Sequence, residues 1–274
     1  MIEKLKQFVL EAGCYSLEKR GTDNHRWGFK WGNEAIGSLV TEVDLNISRK
    51  FKEFVEENFS DLNYMIIDEE SVSQLKGRVF EKAEETEYQF ILDPIDGTIN
   101  YAADVPLYGV LLAVFKNKKP LYGFIYAPAL DELVYTDGKE VYYENGGKVR
   151  IMEKNKHSIS RIVQGHAWAV ELKDKHMDGP LIMQDYFAAV MYFLYLILGK
   201  FKGVFVRANL WDIAPALAIC DVLGMGFYDY ETKEKMTEFS PRFFHPECKV
   251  KKVHIVCFPE EFDEIKSITA GLKE

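Results

Sequence analysis

No uninterrupted apolar run approaches the roughly 20 residues needed to cross a bilayer. The longest nearly apolar stretch, YFAAVMYFLYLIL at 186–198, reads as a fully buried helix. Cysteine is sparse: Cys14, Cys220, Cys248 and Cys257 show no C-x-x-C spacing, which argues against a zinc site or a disulfide framework and for reduced thiols. The 6 histidines show no ligand spacing either. Basic residues are in the minority, with 34 Lys and Arg against 43 Asp and Glu and a formal net charge of -9. A nucleic-acid surface needs clustered cations, so no nucleic-acid partner is expected. The opening MIEKLKQFVLEAG breaks its apolar positions with charge and lacks a signal-peptide core. The expectation is a cytoplasmic protein with no membrane partner.

What the sequence does have is core material: 274 residues, 47% of them hydrophobic and 14% aromatic. Apolar residues at Leu5, Phe8, Val9 and Ala12, and again at Leu45, Ile47, Phe51, Phe54, Val55 and Phe59, follow the helical period. Between them GTDNHRWGFKWGNEAIG has no period and suggests a long loop of the active-site-lid type. LNYMII (62–67) predicts a strand, and QLKGRVFEKAEETE a solvated polar connection. YQFILD, LYGVLLAVF, PLYGFIYAP, DELVYTD and KEVYYENGGKV then predict an antiparallel meander punctuated by turn signals. Beyond about 150 the pattern becomes α/β, with RIVQGHAW, LIMQ, GVFVRA and VHIVCF as strands, WDIAPALAICDVLG as a helix and PEEFDEIKSITAGL as a final helix. These readings divide the chain into an α+β half over 1–152 and an α/β half over 153–274, within one rigid body.

The chemistry concentrates at strand ends. In LDPIDGT, Pro94 fixes the backbone where the strand stops and sets Asp93 and Asp96 on one side, with Gly97 open to close approach and Thr98 and Asn100 suited to capping a helix. Acids for a cation thus adjoin amides for an anion. Hard oxygen ligands without His or Cys suit Mg²⁺, Mn²⁺ or Ca²⁺. The segment alone reads equally well as an ordinary Asp-Pro-Gly turn. IIDEES is a second strand ending in acids, and NLWDIAPALAI places Asp212 in the first turn of an apolar helix. Taken singly, Glu69 and Glu70 are ordinary solvated acids and Asp212 an ordinary cap.

In this order, TEVD (41–44), DEES (68–71), DPIDGTIN (93–100) and WDIAPALAI (211–219) resemble the inositol monophosphatase family of Mg²⁺-dependent, lithium-sensitive phosphatases. The resemblance implies a layered αβαβα sandwich of the sugar-phosphatase type and a homodimer. It implies that Glu69, Asp93 and the carbonyl of Ile95 hold one Mg²⁺ and that Asp93, Asp96 and Asp212 hold a second, with a third, weaker Mg²⁺ beside Glu69. Asp96 and the amides of Gly97 and Thr98 would meet the substrate phosphate. Thr98, supported by Asp44 and Glu69, would be catalytic by orienting the attacking water. Such an arrangement performs phosphoryl transfer without a covalent nucleophile.

The chain departs from the family pattern where the substrate's hydroxyls are held. Asp185, Tyr186, Phe187, Ala188 and Ala189 stand where the family has small residues, and Val206-Arg207 near where it has an acid. Arg207 suits a second phosphate or a carboxylate, while Tyr186 and Phe187 either extend the apolar face or stack on a ring. Lys30 lies in the loop where the family carries a basic residue that helps hold phosphate, with His25, Arg26, Trp27 and Trp31 around it. Ile99 replaces a usual Thr and Asp104 a usual Gly. The expected activity is hydrolysis of a small phosphorylated metabolite, an inositol monophosphate or sugar phosphate. The alternatives are 3'(2'),5'-bisphosphate nucleotidase or fructose-1,6-bisphosphatase activity and, from another class, a non-catalytic metabolite-binding or scaffold protein.

Overall fold

Two amphipathic helices open the chain, α1 (Ile2–Lys19) and, after a strand pair, α2 (Glu42–Phe59). The structure is a computed structural model that describes residues 1–21, 27–29, 39–75, 77–165, 170–172 and 182–272. In the region read as structureless loop, β1 (Trp27–Phe29) pairs antiparallel with β2 (Leu39–Thr41). Two of the three residues in each strand are aromatic or β-branched, Trp27 and Phe29 in one and Val40 and Thr41 in the other, a local preference that the surrounding Gly and Asn obscured. His25, Arg26, Lys30 and Trp31 lie outside the described residues.

The main sheet has seven strands in the order β3-β4-β5-β6-β7-β8-β9. They are β3 (Tyr64–Asp68), β4 (Tyr88–Asp96), β5 (Gly109–Lys116), β6 (Lys119–Ala127), β7 (Glu132–Thr136), β8 (Val141–Asn145) and β9 (Lys148–Ile151). Strand β3 runs parallel to β4, and the rest form an antiparallel meander. Between β3 and β4 the sequence predicts a polar connection, yet it forms α3 (Val79–Glu85), with Val79 and Ala83 buried one helical turn apart. Four surrounding acids and lysines hid this short apolar face.

Alternation along the central strands sorts side chains to two faces. Phe90, Leu92, Val110, Leu112, Val114, Phe124 and Tyr126 pack with Leu5, Val9, Val43, Ile47 and Phe51 of α1 and α2. Their neighbours Ile91, Leu111, Ala113, Phe115 and Ile125 pack on the opposite face, against two apolar helices of the second half, α5 (Ala189–Ile197) and α6 (Leu210–Leu223). The short α4 (Thr98–Ala102) follows β4.

A second sheet closes the other side of α5 and α6. It contains β10 (Ile162–Gly165), β12 (Ile182–Gln184), β13 (Gly203–Val206), β14 (Gly226–Asp229) and β15 (His254–Cys257), in the order β12-β10-β13-β15-β14. Strand β11 (Val170–Leu172) pairs instead with the terminal β16 (Thr269–Leu272). Val204, Phe227 and Val256 face α5 and α6, whereas Val163, Phe205, Ile255 and Cys257 face α7 (Phe262–Ser267). The layers therefore run helices, sheet, helices, sheet, helix. The final helix is shorter than its sequence suggests because Ile268-Thr269 leaves it for the β11 pairing, with the Thr269 hydroxyl bonded to Tyr230.

Candidate active site

Each acid in the cluster sits where a strand or helix ends. Strand β4 runs through Pro94 to Asp96, and its register with β5 slips between Asp93 and Asp96, so the strand continues past the point where the sequence suggested a turn. The slip brings both carboxylates to one place. Asp212 occupies the first turn of α6, where its carboxylate accepts the Asn209 amide at 2.7 Å in a capping box. It is a helix cap, as its sequence position allowed, and a member of the cluster as well. Carboxylate oxygens of Asp93, Asp96 and Asp212 all lie within 4.8 Å of one another.

Burial drives the electrostatics. It holds the Asp93 carboxyl well above the usual range, and the charges of Glu69, Asp96 and Asp212 push the same way. Asp212 is raised by burial and then by Asp96 and Glu69. Asp96 rises to about 7, burial again leading, although it accepts amide hydrogens from Val190, Ala189 and Gly97. The Val190 amide lies 2.5 Å from its Oδ2. Crowded buried acids either bind protons or share a cation. Oδ1 of Asp93 is buried with no hydrogen-bond donor among the described residues. An all-oxygen set with an unsatisfied acceptor at its centre fits a hard divalent cation.

Gly97 follows Asp96 in the left-handed region at φ 80. A Cβ there would lie 2.9 Å from the Ala188 Cβ and 3.0 Å from the Leu107 carbonyl oxygen. It is Gly97 that holds the N-cap position of α4, where the sequence suggested Thr98 or Asn100. The Thr98 hydroxyl reaches back 3.0 Å to the Ile95 carbonyl, an acceptor with a second lone pair still available. Asn100 instead donates to the carbonyls of Leu107 at 2.7 Å and Tyr186 at 3.0 Å, joining the two halves of the chain. Gly97→Ala should lower stability by about 1–3 kcal/mol through backbone strain and contact, measured by urea unfolding. An unchanged midpoint would contradict that role for the turn.

Asp44 is buried at the start of α2 and completes a capping box with Thr41, accepting its amide at 3.0 Å. Its charge helps raise the Tyr101 phenol on α4, behind burial and Tyr108. Asp44 is thus within electrostatic reach of Tyr101 on α4, the helix that begins with Thr98. Glu69 directly follows β3, and its amide donates to the Leu92 carbonyl at 3.2 Å, which extends the β3–β4 ladder toward Asp93.

The aromatic pair splits. Tyr186 packs inward, stacked on Phe201 at 6.0 Å and edge-on to Tyr195 at 5.8 Å. Phe187 is 61% exposed with φ 54, its amide held by Asp185 at 2.9 Å. Arg207 is exposed just beyond β13 and forms no ion pair with a described acid. Strands β12, β10 and β13 run parallel, and their registers place Phe187 and Arg207 beyond the same carboxyl edge, where open α/β sheets take ligands. Asp104, at a usual glycine position, has φ 60, and Arg20 Nε meets its carboxylate at 2.8 Å.

Sequence reasoning missed the amides of Ala189 and Val190 on Asp96, because a backbone donor leaves no residue-type signal. It also gave no role to Asp68, although the acid is visible in DEES.

Comparison with known proteins adds independent findings. The model of the inositol monophosphatase family matches residues 16–256. The chain is 30% identical over 212 residues to a fructose-1,6-bisphosphatase/inositol-1-monophosphatase of Thermotoga maritima, covering 75% of this chain and 76% of the relative. Its fold matches an inositol monophosphatase family protein of Staphylococcus aureus with a TM-score of 0.73 at 19% identity, covering 100% of this chain and 95% of the other. It also matches an IMPase/NADP phosphatase solved with Mg²⁺ and phosphate, with a TM-score of 0.72 at 18% identity over 100% and 97% of the two chains.

Proposed function

The chain belongs to the inositol monophosphatase family, and from that premise we propose that it is a Mg²⁺-dependent phosphomonoesterase acting on small sugar or inositol phosphates. Membership makes it a phosphoric monoester hydrolase. The observation that carries the specific reading is the convergence of Asp93, Asp96 and Asp212 from two halves of the chain. The Thermotoga relative is named for both fructose-1,6-bisphosphate and inositol-1-phosphate hydrolysis, and one structural neighbour is described with Mg²⁺ and phosphate, which supports both the substrate class and the metal.

In this proposal Glu69, Asp93 and the Ile95 carbonyl hold one cation and Asp93, Asp96 and Asp212 a second, with a third, weaker position beside Glu69. Bound divalent ions would neutralise phosphate charge and make water more acidic. The remaining work belongs to the chain. The Thr98 amide opens α4, where first-turn donors have no intrahelical partner, and points to phosphate binding. The Gly97 amide is engaged by Asp96, so it serves phosphate only by sharing that bond. The Thr98 hydroxyl, supported by Asp44 and Glu69, would orient the attacking water. Through Asp212, and through the Val190 amide on Asp96, the 153–274 half helps build a site otherwise held by 1–152, consistent with one rigid body. Family resemblance extends the proposal to inhibition by Li⁺, a homodimer, a cytoplasmic location and a phosphate-holding role for Lys30.

Arg207 favours a substrate with a second anionic group, the bisphosphate reading. A charge-assisted hydrogen bond of about 1.5–3 kcal/mol corresponds to roughly 10–100-fold in rate. Arg207→Ala should therefore lower kcat/KM for fructose-1,6-bisphosphate by about that factor and leave inositol-1-phosphate nearly unchanged. Phosphate release with and without Mg²⁺ tests the activity. Equal losses on both substrates would contradict the role of Arg207, and no release from either with Mg²⁺ would support a binding protein without turnover.

A further inference from the structure

We infer that Asp68 is a positioning residue: its buried carboxylate, gripped by Ser48, Lys52 and Ser71, fixes the turn that aims Glu69 at Asp93, Asp96 and Asp212. The inference rests on the reading of Glu69 as a metal ligand.

Asp68 is the last residue of β3 and is 0% exposed. A buried carboxylate persists only where donors surround it. Here the Ser48 hydroxyl donates to its Oδ2, as does the Ser71 hydroxyl at 2.9 Å. Lys52 Nζ lies 3.2 Å from the same oxygen, and the Glu70 amide is 3.3 Å from Oδ1. Ser48 and Lys52 are one turn apart on α2, so a helix and a turn both hold one side chain. The Ser71 amide also returns to the Asp68 carbonyl at 3.0 Å, which tightens the turn around Glu69.

Strand geometry gives this grip its consequence. Asp68 pairs with Leu92, whose side chain lies on the α1–α2 face of the main sheet. Successive side chains in a strand alternate between faces. Asp68 therefore turns toward α2, and Glu69, whose amide continues the ladder to Leu92, turns to the other side with Asp93. The charge of Glu69 does act on Asp93, Asp96 and Asp212, which agrees with that direction. Asp68 points away from the cluster, so its effect on a cation there passes through the placement of Glu69.

The test titrates Mg²⁺ alone, without substrate, into wild type, Asp68→Asn and the milder Ser48→Ala, following the melting temperature. Groups that orient metal ligands typically govern 10–100-fold in metal affinity. Asp68→Asn should raise the Mg²⁺ concentration at half-maximal stabilisation by about 10–100-fold, and Ser48→Ala by about threefold or more. Excess Mg²⁺ should return kcat of both variants to near wild type. A purely structural role predicts a lower melting temperature in metal-free buffer with the Mg²⁺ midpoint unmoved, and that result in either variant overturns the inference. If wild type itself gives no Mg²⁺-dependent shift, the metal reading fails first, and the inference falls with it.

Discussion

Asp93→Asn is expected to lower kcat by about 10²–10³-fold or more and, in metal-free buffer, to raise the melting temperature. The two effects have one origin. Asp93 is the central member of a buried acidic cluster, next to Glu69 and within 4.8 Å of both Asp96 and Asp212 at their carboxylate oxygens. In the proposed site, with cations in place, its charge would be a shared anchor, and removing it would leave the neighbouring carboxylates arranged around a weakened site. Without cations the same charge is crowded by its neighbours and separated from water, an arrangement that burial disfavours. Asn keeps the shape of the carboxyl and removes the repulsion. The metal-free gain should be on the order of 1 kcal/mol, a few degrees in a chain of this size. Phosphate release and thermal unfolding in chelator check the pair. Retained turnover, or a lower metal-free melting temperature with activity lost, would contradict the assignment.

Chelation of wild type should abolish phosphate release and lower the melting temperature relative to saturating Mg²⁺. A site filled at about 100 times its dissociation constant adds about 2.7 kcal/mol, or about 5–10 °C for a domain of this size. Mg²⁺ should restore both properties. The stabilising increment should largely disappear in Asp93→Asn, since the anchor is gone. Activity that survives chelator, or a melting temperature insensitive to Mg²⁺ in wild type, would remove the metal from the account.

The layered architecture was readable because its signals are periodic or positional. The helical spacing of α1 and α2, the turn-punctuated meander from β4 to β9, and the largely apolar α5 and α6 each announce themselves in one stretch of sequence. The acids were readable for another reason: charge at the end of an apolar strand, in LDPID and IIDEE, conflicts with its surroundings unless the fold has a use for it. Short elements were lost where local preference is weak. The apolar face of α3 is only Val79, Phe80 and Ala83 among charges, and β16 depends on a partner strand a hundred residues away. The part of the site made by the main chain was also illegible. Nothing in Ala189-Val190 announces donors for Asp96, and the different fates of adjacent Tyr186 and Phe187 depend on a left-handed backbone at Phe187 that the side chain of Asp185 supports.

The geometry also explains how the chain tolerates departures from its family's pattern. Asp104 takes a left-handed position usually occupied by glycine, a conformation Asp adopts more readily than most residues, and Arg20 holds it there. Ile99 is 39% exposed and lies outside both acidic strand ends. Neither replacement alters the convergence of Asp93, Asp96 and Asp212.

The most direct test is a crystal structure of the protein grown with Mn²⁺, read by anomalous scattering. The account predicts peaks among the carboxylates of Asp93, Asp96 and Asp212, with Glu69 completing the neighbouring position. Ordered carboxylates at those residues with no anomalous peak between them at saturating Mn²⁺ would contradict it.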